Sequence, residues 1–119
     1  MAIKINVRFT DFPDYVEDSS VTATPVLDVF RSAGNLTVVE ITNGSADAWV
    51  QIFDGKTIVM SPAAEVTDPV MELYVKASTT LLVSTDIKFG SAVSYAATDS
   101  PGGSSNPSQT VSLKLIGDV

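Results

Sequence analysis

The chain has 119 residues and a mass of 12.5 kDa, the size of one domain. Apolar residues make up 45% and charged residues 18%, which excludes a disordered acidic tail and supplies one core. Seven basic residues face 14 acidic ones, for a net charge of −7, so neither nucleic acid nor anionic membrane is an expected partner.

Valine, isoleucine and threonine number 16, 7 and 12, a bias that fits pleated, half-buried surfaces and disfavours helices. At the N-terminus, Ile3, Ile5, Val7 and Phe9 alternate with Lys4, Asn6, Arg8 and Thr10. That period of two predicts a strand with one wet face and contains no secretory apolar core. No apolar run reaches the length of a bilayer span, so the expectation is a soluble protein made in a cytoplasm.

Residues 14–20 (DYVEDSS) have the composition of a single helical turn, as do residues 62–66 (PAAEV). Strands are predicted near residues 21–30, 36–43, 48–54, 57–60, 70–76, 80–85 and 92–98, and a last one alternates Val111, Leu113 and Leu115 with Ser112 and Lys114. Pro25 lacks an N–H and confines its strand to an edge or a bulge. Asn43-Gly44 is the strongest hairpin signal, with Ser45-Ala46-Asp47 lengthening the loop. Residues 98–108 (TDSPGGSSNPS) have no apolar side chain and predict a flexible loop. Eight or nine short strands in one domain, 1–119, make an all-β antiparallel sandwich or barrel.

Catalytic chemistry is sparse. With no cysteine and no histidine, disulfides, thiolate nucleophiles, Cys/His zinc sites and Ser-His-Asp arrangements are excluded. Asp11, Asp14, Glu17 and Asp18 are dense, yet they lack the alternating ligands and turn glycine of a calcium loop. Glu40, Asp54, Glu65 and Glu72 offer carboxylate pairs to a glycosidase, and nothing in the spacing selects two of them. Lys56 and Ser61 form no Ser-x-x-Lys motif, and Gly102-Gly103 precedes neither a lysine nor a helix. No enzyme, metal or cofactor is expected.

Trp49, Gln51 and Phe53 share one face of a strand whose other face is Ala48, Val50 and Ile52. A strand apolar on both sides is either central in a layered core or meets another subunit. An exposed Trp49, or Tyr95, is alternatively a stacking platform for sugar.

The segment NLTVVEITNGSADAWVQIFDG (35–55) resembles a recurrent stretch in small structural proteins of tailed bacteriophages, and STDIKFGSAVSYAATDSPGGSS (84–105) is similar to the matching C-terminal half. KTIVMSPAAEVTDP (56–69) departs from the glycine- or proline-rich stretch usual there. The resemblance implies a jelly-roll-like β-sandwich, non-enzymatic, serving as a capsid decoration or cement subunit, or else a neck or tail piece. It implies a virion location, and the acidic charge favours the external capsid surface. The expected partners are further copies of the chain, with a trimer favoured, and the major capsid protein or another virion protein. The interface candidates are Ile3, Ile5 and Val7 of a strand-adding arm (1–10), Trp49, Gln51 and Phe53, and Pro101, Asn106 and Pro107 of the loop. The alternatives are a tail-fibre or neck domain, or a carbohydrate-binding module that uses Trp49.

Overall fold

The computed structural model describes residues 3–6, 14–30, 34–60 and 66–118. Among them are eight strands and no helix: β1 (Ile3–Asn6), β2 (Asp14–Asp18), β3 (Gly34–Asn43), β4 (Ala48–Asp54), β5 (Met71–Val75), β6 (Thr80–Phe89), β7 (Val93–Thr98) and β8 (Val111–Asp118). They form two sheets, a large one ordered β1-β2-β8-β3-β6 and a small one ordered β5-β4-β7. Every pairing is antiparallel, and the fold is all-β and sandwich-like.

The period of two decides which side chains meet. In β8, Val111, Leu113 and Leu115 are fully buried while Lys114 between them is exposed. Val39 and Ile41 of β3, and Val16 of β2, join them from the large sheet. Val50 and Ile52 of β4, Val75 of β5, and Val93, Tyr95 and Ala97 of β7 answer from the small sheet. A bulge between Leu36 and Val38 shifts the register of β3 against both of its neighbours.

One polar contact runs through this core. Asp18 of β2 and Tyr95 of β7 are both wholly buried, and the tyrosine hydroxyl donates to Asp18 Oδ2 at 2.8 Å. Asp18 Oδ1 accepts from the Ser20 amide at 2.9 Å. A carboxylate facing the core is tolerable because both oxygens have donors.

Four expectations change. Residues 14–18 are a strand rather than a helical turn, because Val16 and Asp18 face the core while Tyr15 and Glu17 face out. Residues 21–30 make one isolated bridge, Val26 with Tyr95, and not a regular strand. The backbone still runs along β7, with Ala97 N donating to Thr22 O and Val29 N to Val93 O. Pro25 and the positive φ of Asp28 (52°) break its continuity, and it lies at the edge, where a proline does least harm. Residues 57–60 form no strand, although Val59 and Thr67 pair across the neck of the loop that contains them.

The fourth change is at Asn43-Gly44, which makes no hairpin: β3 belongs to the large sheet and β4 to the small one. The buried Asn43 amide donates to Ala46 O and Val75 O, and its Oδ1 accepts from Gly44 N and Gln109 Nε2. These bonds turn the chain from one layer to the other. The helical turn expected at 62–66 lies outside the described residues except for Val66, which is not helical.

Tyr95→Phe leaves Asp18 Oδ2 buried without its donor and lowers the unfolding free energy by about 2 kcal/mol, as read by urea denaturation. An unchanged midpoint would contradict the inter-layer role. Burial, then the hydrogen bond that the hydroxyl donates to Asp18, push the Tyr95 phenol far above its ordinary value of 10.0. Its contribution is therefore intact below about pH 10 and is lost as pH rises further. In a spectrophotometric alkaline titration, Tyr95 ionises only as the chain unfolds.

Candidate functional site

The small sheet has three strands, and its central strand, β4, is apolar on both faces. Ala48, Val50 and Ile52 point into the shared core. Gln51 and Phe53 point the other way and yet are only 2% and 1% exposed. Their outward neighbours on β7, Ser94, Ala96 and Thr98, are equally buried. Something in the same chain covers this face.

Two segments do so. The first is the link between β4 and β5, in which Met60, Val66, Thr67, Asp68 and Pro69 stand against Phe53 and Gln51. Val59 and Thr67 close its neck, and Val70 N donates to Ile52 O where it rejoins the sheet. The second is the Gly/Ser/Pro stretch after β7. Ser100 O accepts from Gly103 N at 3.1 Å, with Pro101 and Gly102 at the corner of the turn. Gly102 has a φ of +63°, as the corner requires, and a Cβ on Gly103 would lie 2.3 Å from Ser100 Oγ.

A polar network fastens this turn to the sheet. Gly102 N donates to Glu72 Oε2 at 3.0 Å, and Gln51 Nε2 donates to the same oxygen at 3.2 Å. Gln51 Nε2 also donates to Thr98 Oγ1 at 2.8 Å, and that hydroxyl donates to Ser100 O at 2.8 Å. Between the cover and the sheet lies a cavity of about 110 Å³, lined by Gln51, Phe53, Met60, Asp68, Glu72 and Gly102 among others. The oxygen of Gln51, Oε1, is buried and has no hydrogen-bond partner.

Beyond the cover lies an aromatic pair. Trp49 is half-buried and Tyr74, its partner across β4 and β5, is 50% exposed, with ring centroids 5.2 Å apart and planes tilted by 40°. Residual burial, then a hydrogen bond to Asp47, raise the Tyr74 phenol above its ordinary value. Tyr95, the other suggested platform, is wholly buried and cannot stack on a ligand.

The remaining interface candidates are spread over the surface. Ile3 and Ile5 lie on β1, which pairs with β2 of its own chain at the edge of the large sheet; Val7 lies outside the described residues. Pro101 is exposed at the turn, and Pro107 is half-buried. Asn106 is exposed, and its Oδ1 accepts from Ala23 N at 2.9 Å.

The carboxylates are dispersed too. Glu40 sits on the outward face of the large sheet and Glu72 on that of the small one. Asp18 faces inward from β2 and Glu17 outward, which splits the acidic cluster; Asp11 and Glu65 lie outside the described residues. Asp54 has a structural task, accepting from the amides of Gly90, Ser91 and Ala92 at 2.9, 2.8 and 3.2 Å. Among the described residues, no three acidic side chains converge as a metal site would require. Comparison with known families, curated proteins and solved structures gives no match to this chain.

The Gly90 amide, with help from Ser91 and Ala92, holds the Asp54 carboxyl below its ordinary value of 3.8 against the opposing effect of desolvation. Its contribution is therefore present above about pH 4 and is lost as pH falls through the lowered value. Asp54→Asn is expected to destabilise the fold at about pH 7 and to change little at about pH 2. Thermal melts of both proteins across that range check the crossover.

Proposed function

We propose that this protein is a non-enzymatic virion subunit, a capsid decoration or cement protein that oligomerises and binds the outer capsid surface. The observation that carries the reading is the path of the chain between its two layers. From β2 onward it passes to the segment 21–29 beside β7, to β3, to β4 and β5, to β6, to β7 and to β8. Each step but the one from β4 to β5 changes layer. Counting that segment as a strand, the layers read β2-β8-β3-β6 and segment-β7-β4-β5, which supports a jelly-roll reading with β1 added at the edge. Jelly rolls recur in viral capsid proteins and lectins.

The resemblance of residues 35–55 and 84–105 to phage structural proteins favours the first of those two classes. The net charge of −7 supports an external position, away from packaged nucleic acid. A homo-oligomer, with a trimer favoured, would use surfaces that the described residues leave open: the outer edge of β1, Trp49 with Tyr74, and the exposed Pro101 and Asn106. Contacts of this kind need shape and apolar area and no catalytic group.

A carbohydrate-binding module is the second reading, and the Trp49–Tyr74 pair favours it. It predicts a fluorescence change on adding host glycans that Trp49→Ala removes. Assembly is tested by light scattering on a sizing column over a hundredfold range of concentration. A stable multiple of 12.5 kDa, three above all, is the expected result. A monomer throughout that range, with a glycan response at Trp49, would overturn the virion reading.

A further inference from the structure

The cavity over β4 joins an apolar wall to the oxygens of Gln51, Asp68 and Glu72, with the Thr67 hydroxyl beside them. Gln51 is its floor, with both amide hydrogens committed to Glu72 Oε2 and Thr98 Oγ1. The orientation of that amide follows from chemistry, since a carboxylate accepts and cannot donate. Oε1 is thereby left buried without a donor, one of two such side-chain atoms among the described residues. Buried polar atoms in native proteins nearly always have partners, so this one calls for a group that supplies a hydrogen. Asp68 and Glu72 line the same space, and no lysine or arginine does.

The missing group must therefore donate, and two carboxylates make a cation the better match. Phe53, Met60, Val66 and Pro69 supply an apolar wall suited to a methylene stem. Size narrows the choice further. A dry cavity of about 150 Å³ takes benzene, so a space of about 110 Å³ is filled by the end of a slim chain. An alcohol fits the space but brings one donor and no charge.

We infer that this cavity binds a primary alkylammonium group, its nitrogen at Gln51 Oε1 beside Asp68 and Glu72 and its stem against Phe53 and Met60. The site does not depend on the assembly reading above. Its source is a free small amine or the end of a lysine on another protein, which share this chemistry. Oε1 is shielded in the free protein, so entry lifts the turn at Gly102 from Glu72, and the Gly102 amide reports it.

The test is a titration of the ¹⁵N-labelled full chain with n-butylammonium chloride, followed by amide spectra, with sodium chloride and n-butanol as controls. The expected result is saturable shifts at Gly102, Gly103 and the Gln51 side-chain amide with the ammonium alone. Gln51→Leu removes the acceptor, and Glu72→Gln removes the charge while keeping the shape. Each is expected to weaken binding roughly tenfold or more, and Glu72→Gln serves if the leucine variant does not fold. Shifts that do not saturate, that either control reproduces, or that persist undiminished in the variants would overturn the site. Within a positive result, Nα-acetyl-lysine N-methylamide separates the sources: binding as tight as butylammonium supports a lysine side chain, and weaker binding supports a free amine.

Discussion

A central strand that is apolar on both faces needs two covers, and that constraint at β4 organises this molecule. The inner cover is the large sheet. The outer cover is not a third layer: it comes from residues 60 and 66–69 and from the turn at 100–103, because Phe53 and Ala96 on that face would otherwise meet water. Burial of Phe53 and Gln51 supplies the driving force, and the hydrogen bonds among Gln51, Glu72, Gly102 and Thr98 fix the position. A covering made of turns rather than packed strands leaves a gap, and the gap is the cavity.

The same economy recurs elsewhere. Polar side chains act where the chain changes layer: Asn43 at the corner between β3 and β4, Asp54 at the turn between β6 and β7, and Asp18 with Tyr95 through the core. Each satisfies backbone groups that an irregular connection would otherwise leave without partners. A small domain without disulfides gains definition from these contacts, because hydrophobic burial alone does not choose between similar packings.

Much of this architecture was legible in the sequence. Period two marked β4 with its final bounds and put Trp49, Gln51 and Phe53 on one face. It failed at β2, because Asp18 faces inward and breaks the apolar alternation; only Tyr95, 77 residues away, makes sense of it. Residues 21–30 have a strand's composition, but one proline and one left-handed aspartate interrupt the ladder. Asn43-Gly44 announced a turn without saying which sheet the next strand would join, since layer assignment depends on contacts far along the chain. The site was half visible. Gln51 stood on the right face, but Glu72 looked like any other acid, and the Gly/Ser/Pro stretch looked like a spacer. Its role rests on the bond from Gly102 to Glu72, which joins positions 30 residues apart.

That bond decides whether the turn is closed over β4. Hydrogen exchange at the Gly102 amide, measured by NMR on the native chain, tests whether the turn is a cover or a free loop. If the outer face of β4 is closed as described, this amide exchanges far more slowly than an unstructured one, and Glu72→Ala releases it. Exchange at the unstructured rate in the native protein would mean that the turn is a free loop and that β4 is not covered by its own chain.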